Sequence, residues 1–380
     1  MKTQKRAILH ITGTRAEYGL ARRFILALQK SKGLAPKILA TGMHTLKQFG
    51  DTVQLIKIDN VPIASVVKVS AKNDMIQDLI QEIEGVRTYC VRAKPDAIIV
   101  VGDRSESFAA SIVGLYLHIP VIHFSGGDVS ASIDNYLRNA TTLFSNLHFV
   151  QTQKSKSNVL RLGADPKTVW IAGSLGLDGL RTSTLFAKRE IAKSLKLNEK
   201  DYWYLVVFHP TLFENISFPS QIDPLLLALK KLRGEKIITY PNSDTGGRYF
   251  LKRMIVLSHK KGFHLYPNID RTMYLSLMKR CDVLIGNTSS GLMEAGYLKV
   301  PFVKIGNRQG GREQGDNVIS ADYNTEHILA SVKKALSKKF RQKIRSATSP
   351  YRGDPVAAKS IVRIEKYLLE QNNKRKTKKQ

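Results

Sequence analysis

Seven loops carry residue types suited to binding and acid–base chemistry. The segment TGTRAEYG, from Thr12 to Gly19, follows an apolar run and opens an amphipathic one. Backbone N–H groups at a helix start favour an anion, and Arg15 would add a fork of donors. A tight turn with a surface arginine has the same sequence. The segment is neither a Gly-x-Gly-x-x-Gly fingerprint nor a P-loop, so neither a dinucleotide nor ATP is supported. The segment GDRSE places a carboxylate, Asp103, at a strand-to-helix junction. There it would either cap the helix or point into a cleft. The segment HFSGGD, from His123 to Asp128, leads into a helix carrying Asp134 and Arg138. Its glycine pair would let backbone approach a ligand closely. Asp134 and Arg138, four residues apart on one helix face, could pair for roughly a few tenths of a kcal/mol.

Four more loops lie in the second half. His209, in the segment FHP, falls at a strand end. An imidazole there would be a cap or core residue, or would reach substrate and exchange a proton near neutral pH. The donor-rich turn from Tyr240 to Arg248, which includes Asn242, joins another strand to a helix. The segment GNTSSG follows an apolar strand and is read as opening the helix that carries Glu294. Ser289, Ser290 and the free N–H groups around them form a candidate diphosphate cradle. Glu294 would accept hydrogen bonds from two ribose hydroxyls. The glycine-rich stretch from Gly306 to Arg312 adds cations, Arg308 among them.

The elements that must position these loops alternate along the chain. Short β-branched runs at 7–12, 97–101, 121–124, 147–151 and 169–172 read as buried strands. Helical patterns at 17–30, 75–93, 105–117 and 133–143 lie between them. The alternation repeats, with strands at 204–208, 236–239, 263–265, 283–285 and 302–305 and helices at 221–232, 248–260 and 271–279. Continuous apolar strands joined by helices imply parallel sheets covered on both faces. The expected fold is α/β, with two doubly wound Rossmann-like domains facing a central cleft. We place an N-terminal domain over 1–175 and a C-terminal, nucleotide-binding domain over 176–355. A last helix at 356–370 could return to either domain, and 371–380 reads as a basic, frayed tail. In such sheets ligands bind where strands end in loops, which is where the unusual residues fall.

A chain of 380 residues with 43% apolar content can bury two cores. It has no twenty-residue apolar run, so no membrane span is expected. Its two cysteines, Cys90 and Cys281, have no metal spacing, which suits a reducing, cytoplasmic setting and argues against a zinc site. The formal charge of +29 is spread along the chain without a nucleic-acid-binding motif. We read it as a generally basic surface, with no nucleic-acid partner, that would also steer an anionic ligand inward.

Taken together, the segments TGTRAEYGL, VGDRSES, HFSGGDVSASIDNYLRNA, NLHFVQT, FHPTLFE, TYPNSDTGGR, IGNTSSGLMEAG and GNRQGGREQGDNVI resemble the hydrolysing UDP-N-acetylglucosamine 2-epimerases of sialic and legionaminic acid synthesis. They lie in order and span almost the whole chain. The resemblance implies the two-domain glycosyltransferase type B fold. It implies a UDP-sugar substrate, no cofactor, no metal and a homodimer or homotetramer. It assigns catalytic carboxylates to Asp103 and Asp134, and a catalytic, phosphate-facing role to His209. It assigns UDP contacts to Arg15, Asn242, Ser289, Ser290, Glu294 and Arg308, and we add Ser125 and Arg138 to the substrate pocket. Two positions depart from the pattern. Ser125 stands where the family often has Glu or His, and Asn139 stands where it often has His after the helix arginine. An unactivated serine is a poor general base, so Asp128, Glu106 or Asp103 would have to serve, or the activity is altered. A non-hydrolysing epimerase or a glycosyltransferase on the same fold would be told apart by its products. A UDP-sugar-binding protein without chemistry is the competing class, and Ser125 keeps it open.

Overall fold

The computed structural model describes residues 5–46, 52–70, 74–211, 214–241, 246–267, 269–353 and 355–377. The chain divides into two compact units. One comprises Met1–Asp128, Asp134–Arg181 and Arg352–Gln380, and the other Val129–Ile133 and Thr182–Tyr351. The main division thus falls at Arg181, six residues beyond the expected 175. The short stretch Val129–Ile133 also counts with the second unit. One contact holding it there is the Ala131 N–H, which donates to the Arg308 carbonyl at 3.2 Å.

The first unit holds seven parallel strands: β1 (Arg6–Thr12), β2 (Leu34–Ala40), β3 (Ile63–Val66), β4 (Ala97–Val101), β5 (Val121–Phe124), β6 (Leu147–Val150) and β7 (Val169–Ile171). Their order is β3-β2-β1-β4-β5-β6-β7. Side chains alternate across the pleat, and β4 shows the consequence. Its Ile99 and Val101 pack with Phe24, Ile25 and Leu28 of the helix Arg15–Gln29. Its Ile98 and Val100 pack on the other face with Val86, Cys90, Ala110 and Val113, from the helices Met75–Ala93 and Ser105–Tyr116. Both faces are therefore dry, which is why β4 can be apolar at every position.

The last helix, Val356–Thr377, continues seven residues past the expected end at 370. It joins the first unit, where Ile364 and Leu368 share a core with Phe24 and Leu28. Burying each such side chain is worth about 1.5–3 kcal/mol, enough to anchor a terminal helix.

The second unit has six parallel strands: β8 (Trp203–Val207), β9 (Glu235–Thr239), β10 (Phe263–Tyr266), β11 (Val283–Gly286), β12 (Phe302–Ile305) and β13 (Val318–Ala321). Their order is β10-β9-β8-β11-β12-β13. Each sheet reverses its winding once, between β1 and β4 and between β8 and β11. The crevice at the carboxyl ends of strands on either side of such a reversal is the usual ligand site of a doubly wound sheet.

Three strands carry no clear signal in the sequence. β3 and β13 are four residues long and diluted with Ala and Ser. β2 contains Pro36 and Lys37. Pro36 is tolerated because β3 pairs with β2 only from Ile38 onward, so the missing N–H faces no strand on that side.

Candidate active site

In the first unit, the loops after β1, β4 and β5 lie side by side because those strands are neighbours. After β1, the Thr14 hydroxyl caps the helix Arg15–Gln29 by accepting from the Glu17 N–H at 3.1 Å. Arg15 is therefore the first helical residue, half-buried at the positive end of the helix dipole. A buried chain backs this turn. The Thr12 hydroxyl donates to Glu17, and His44 Nε2 lies 3.1 Å from the same hydroxyl.

After β4, Asp103 does not cap the following helix. The cap position belongs to Arg104, which makes no side-chain capping bond. Asp103 instead forms an ion pair with Arg138, a charge-assisted contact across 35 residues of sequence. The Arg138 side chain is 1% exposed and that of Asp103 is 26% exposed, so the pair presents its carboxylate end outward. Arg138 also donates to the Asp128 carbonyl at 2.8 Å. Arg138 sits one turn from Asp134, which lies half-buried in the first turn of the helix Ile133–Leu143. A carboxylate there is favoured by the helix dipole.

After β5, Ser125 adopts a left-handed conformation, with φ of 66°. The glycine pair beside it has a different reason from the one expected. A Cβ on Gly127 would lie 2.2 Å from the Ser155 carbonyl oxygen. The glycine thus serves close packing against the helix Gln153–Arg161. Asp128 is buried and accepts from the Ser155 hydroxyl at 2.7 Å and from Gln151 at 3.4 Å. Glu106 is also buried, and burial pushes its carboxyl upward against the opposing charge of Arg104.

In the second unit, the loops after β8 and β11 meet at the winding reversal. The Asn287 side chain clamps the His209 backbone from both sides, accepting from its N–H and donating to its carbonyl, each at 2.8 Å. Arg308 and Gln309 donate to the Asn287 carbonyl at 3.5 and 3.1 Å. Gly286 is required where β11 ends. Its φ is 144°, and a Cβ would stand 1.9 Å from the Val207 carbonyl oxygen.

The turn that follows is not the opening of a long helix. Ser289–Gly291 form a single 3-10 turn, and the helix beyond it, Glu294–Leu298, has five residues. Ser289 and Ser290 are half-buried. The Ser290 hydroxyl lies 2.7 Å from the Tyr274 hydroxyl and 3.1 Å from that of Thr288. Burial raises the Tyr274 phenol, which stays a neutral partner. Glu294 is buried and takes a hydrogen bond from Arg271 at 2.7 Å on Oε1. Its Oε2 is buried and has no hydrogen-bond partner among the described residues. Asn242 lies outside the described residues.

The structure therefore joins Asp103 to Arg138 and sets Asp134 one turn away. It joins His209 and Arg308 to a common residue, Asn287. Three residues were not singled out as functional from the sequence. Asn287 stands inside a recognised motif, so its signal was present. Arg271 and Tyr274 come from the helix Arg271–Arg280, ahead of β11, and only the fold brings them to Glu294 and Ser290.

Two Rossmann-type parallel sheets in one chain, each with polar loops at its winding reversal, define the class of the glycosyltransferase type B fold. The chain belongs to the UDP-N-acetylglucosamine 2-epimerase family, whose model matches residues 26–366. It is 31% identical to the UDP-N,N'-diacetylbacillosamine 2-epimerase (hydrolyzing) of Legionella pneumophila, over 88% of this chain and 89% of that protein. It is 32% identical to the polysialic acid biosynthesis protein P7 of Escherichia coli, over 97% and 95%. Its fold matches the crystal structure of the Neisseria meningitidis UDP-GlcNAc 2-epimerase bound to UDP-GlcNAc. The TM-score is 0.80 at 20% identity, over 95% of this chain and all of that one. Among the described residues, no helix is long and apolar enough to cross a membrane.

Proposed function

We propose that this chain is a hydrolysing epimerase. It would convert a UDP-linked 2-acetamido sugar, UDP-GlcNAc or its 4-acetamido-4,6-dideoxy analogue, into the free manno-configured sugar and UDP. The observation that carries the reading is the partly exposed Asp103 carboxylate held by the buried Arg138, one helical turn from Asp134. Relatives named as hydrolysing enzymes, at 31% identity from Legionella pneumophila and from Campylobacter jejuni, support the hydrolytic outcome.

Inverting C2 of such a sugar is difficult because its proton is not acidic. In the proposed sequence a carboxylate takes that proton while the C1–O bond breaks toward the diphosphate, leaving a C1–C2 double bond. Water then adds its oxygen to C1, and a proton returns to C2 from the opposite face. One water is consumed and one UDP is released, with no redox change. Asp103 and Asp134 are the acid and base in this scheme, and Arg138 orients Asp103. His209 and Arg15 stabilise the departing diphosphate. Ser289, Ser290, Arg308 and Asn242 hold UDP, and Oε2 of Glu294, without a partner among the described residues, suits a ribose hydroxyl.

Of the alternatives to a base at Ser125, Asp128 is committed to Ser155 and Gln151. Glu106 is buried, with its charged form disfavoured. That leaves Asp103 as the better-placed group. The test is incubation with each UDP-sugar in turn and NMR of the products. Free manno-configured sugar with UDP supports the reading. A new UDP-sugar would indicate the non-hydrolysing reaction.

A further inference from the structure

Behind the Asp103–Arg138 pair lies a histidine that this chemistry does not use. His123, on β5, is fully buried. Its Nε2 stands 2.7 Å from the Gly102 carbonyl oxygen. A carbonyl only accepts, so Nε2 carries the proton and donates. On the other side of the ring, Nδ1 lies 3.2 Å from the Thr142 hydroxyl. That hydroxyl also lies 2.9 Å from the Arg138 carbonyl, so its single proton is shared between that oxygen and the unprotonated Nδ1, both of which accept. One imidazole therefore touches the residue before Asp103 and the helical turn that carries Arg138.

We propose that His123 is a positioning residue for the acid–base pair. As the neutral Nε2–H tautomer it ties the Gly102–Asp103 turn to the helix Ile133–Leu143, so that Asp103 meets Arg138 in one orientation. The proposal rests on the reading of Asp103 as a catalytic group. The surroundings keep the ring neutral. Burial pushes the imidazole down to about 4, with Arg138 acting in the same direction, while the bond to Gly102 and the charges of Asp103 and Asp128 oppose them. His148, its register partner on β6, is itself held down to about 3 by burial and by His123. A second proton on His123 would face the buried Arg138 guanidinium at low effective dielectric.

Two substitutions separate positioning from packing. His123→Gln keeps an N–H donor near the position of Nε2, and His123→Leu removes it at similar volume. Misplacing a catalytic group by about 1 Å costs on the order of 10²-fold. His123→Leu should therefore lower kcat by about 10- to 100-fold, with KM changed less than about threefold. His123→Gln should recover most of the lost kcat. Wild-type kcat in His123→Leu overturns the proposal. So does an equal loss in both variants that follows their Tm.

If His123→Leu does not fold, ¹⁵N NMR of histidine-labelled wild-type protein decides. A protonated Nε2 and a bare Nδ1 between about pH 5 and 8 are expected, and the opposite tautomer overturns the proposal. Asp103→Asn, measured alongside, keeps the two claims apart. If it is inactive while His123→Leu is unimpaired, only the positioning role falls. If it retains full activity, the catalytic reading and the proposal fall together.

Discussion

Asp103→Asn replaces one carboxylate oxygen with an amide and keeps the size of the side chain. Asp134→Asn does the same one turn from Arg138. Loss of a placed acid or base typically costs on the order of 10²–10⁴ in rate, so each should lower kcat by that factor with intact folding. Steady-state kinetics with UDP-GlcNAc, beside a thermal melt, checks this. A kcat within about twofold of wild type in either variant would remove that residue from the scheme. Ser125→Glu restores the residue type the family often carries there. If Asp103 already serves as base, the larger carboxylate should slow turnover in a pocket built around serine.

Binding residues are tested separately from chemistry. Ser290→Ala, Arg308→Ala and Glu294→Gln each remove one candidate contact to UDP. Where a hydrogen bond to a charged group is lost, calorimetry should show affinity weakened by about 1–3 kcal/mol. Glutamine at 294 is the informative choice, because alanine would strand the Arg271 guanidinium that Glu294 now holds. Unchanged UDP affinity in all three variants would remove the cradle.

At the scale of elements, three buried histidines, His44 after β2, His123 on β5 and His148 on β6, are kept dry. Burial holds His44 and His123 down to about 4 and His148 down to about 3, from an ordinary value of 6.5. The unfolded chain therefore binds more protons than the folded one between about pH 4 and 6.5. Stability is full above 6.5 and is lost as pH falls through that window. Glu82 works in the opposite direction. On the helix Met75–Ala93, burial pushes it up to about 9, with Glu106 adding to the effect. The folded state keeps a proton there that the unfolded state releases above about 4.5, so stability is lost as pH rises toward 9. Melting temperature should then peak near neutral pH and fall on both sides. Glu82→Gln should flatten the alkaline fall and, because its window opens near pH 4.5, steepen the acid one. An alkaline slope unchanged by that substitution would contradict this account.

Elements also show what a sequence can and cannot reveal. β4, β5 and β12 were legible to the residue, because central parallel strands must be apolar on both faces. β2 was not, since Pro36 and Lys37 break its run at a place where only the short reach of β3 makes the proline harmless. The loops that bear the candidate site were legible for the same reason as the strands. Glycine, serine, aspartate and arginine stand out where apolar runs stop. Pairings across the chain were not. Asp103 looked like a helix cap, and nothing in its neighbourhood announces Arg138 at 35 residues' distance. The five-residue helix at Glu294 was hidden too, because the 3-10 turn before it uses the same small polar residues that open longer helices.

At the scale of the whole molecule, the two units repeat one plan. Each winds in the same order about its own reversal, and each sets its candidate residues at that reversal. The candidate carboxylates Asp103 and Asp134 belong to the first unit, and Ser289, Ser290, His209 and Arg308 belong to the second. Family membership gives the 2-epimerase class, and the hydrolytic course is what we propose. Turnover of UDP-GlcNAc, and of its 4-acetamido-4,6-dideoxy analogue, in deuterated water followed by NMR tests it most directly. The account predicts UDP and a free manno-configured sugar with one deuterium at C2, because the C2 proton must leave and a solvent proton must return to the other face. A free sugar with its original hydrogen at C2, or UDP binding without turnover of either substrate, would contradict it.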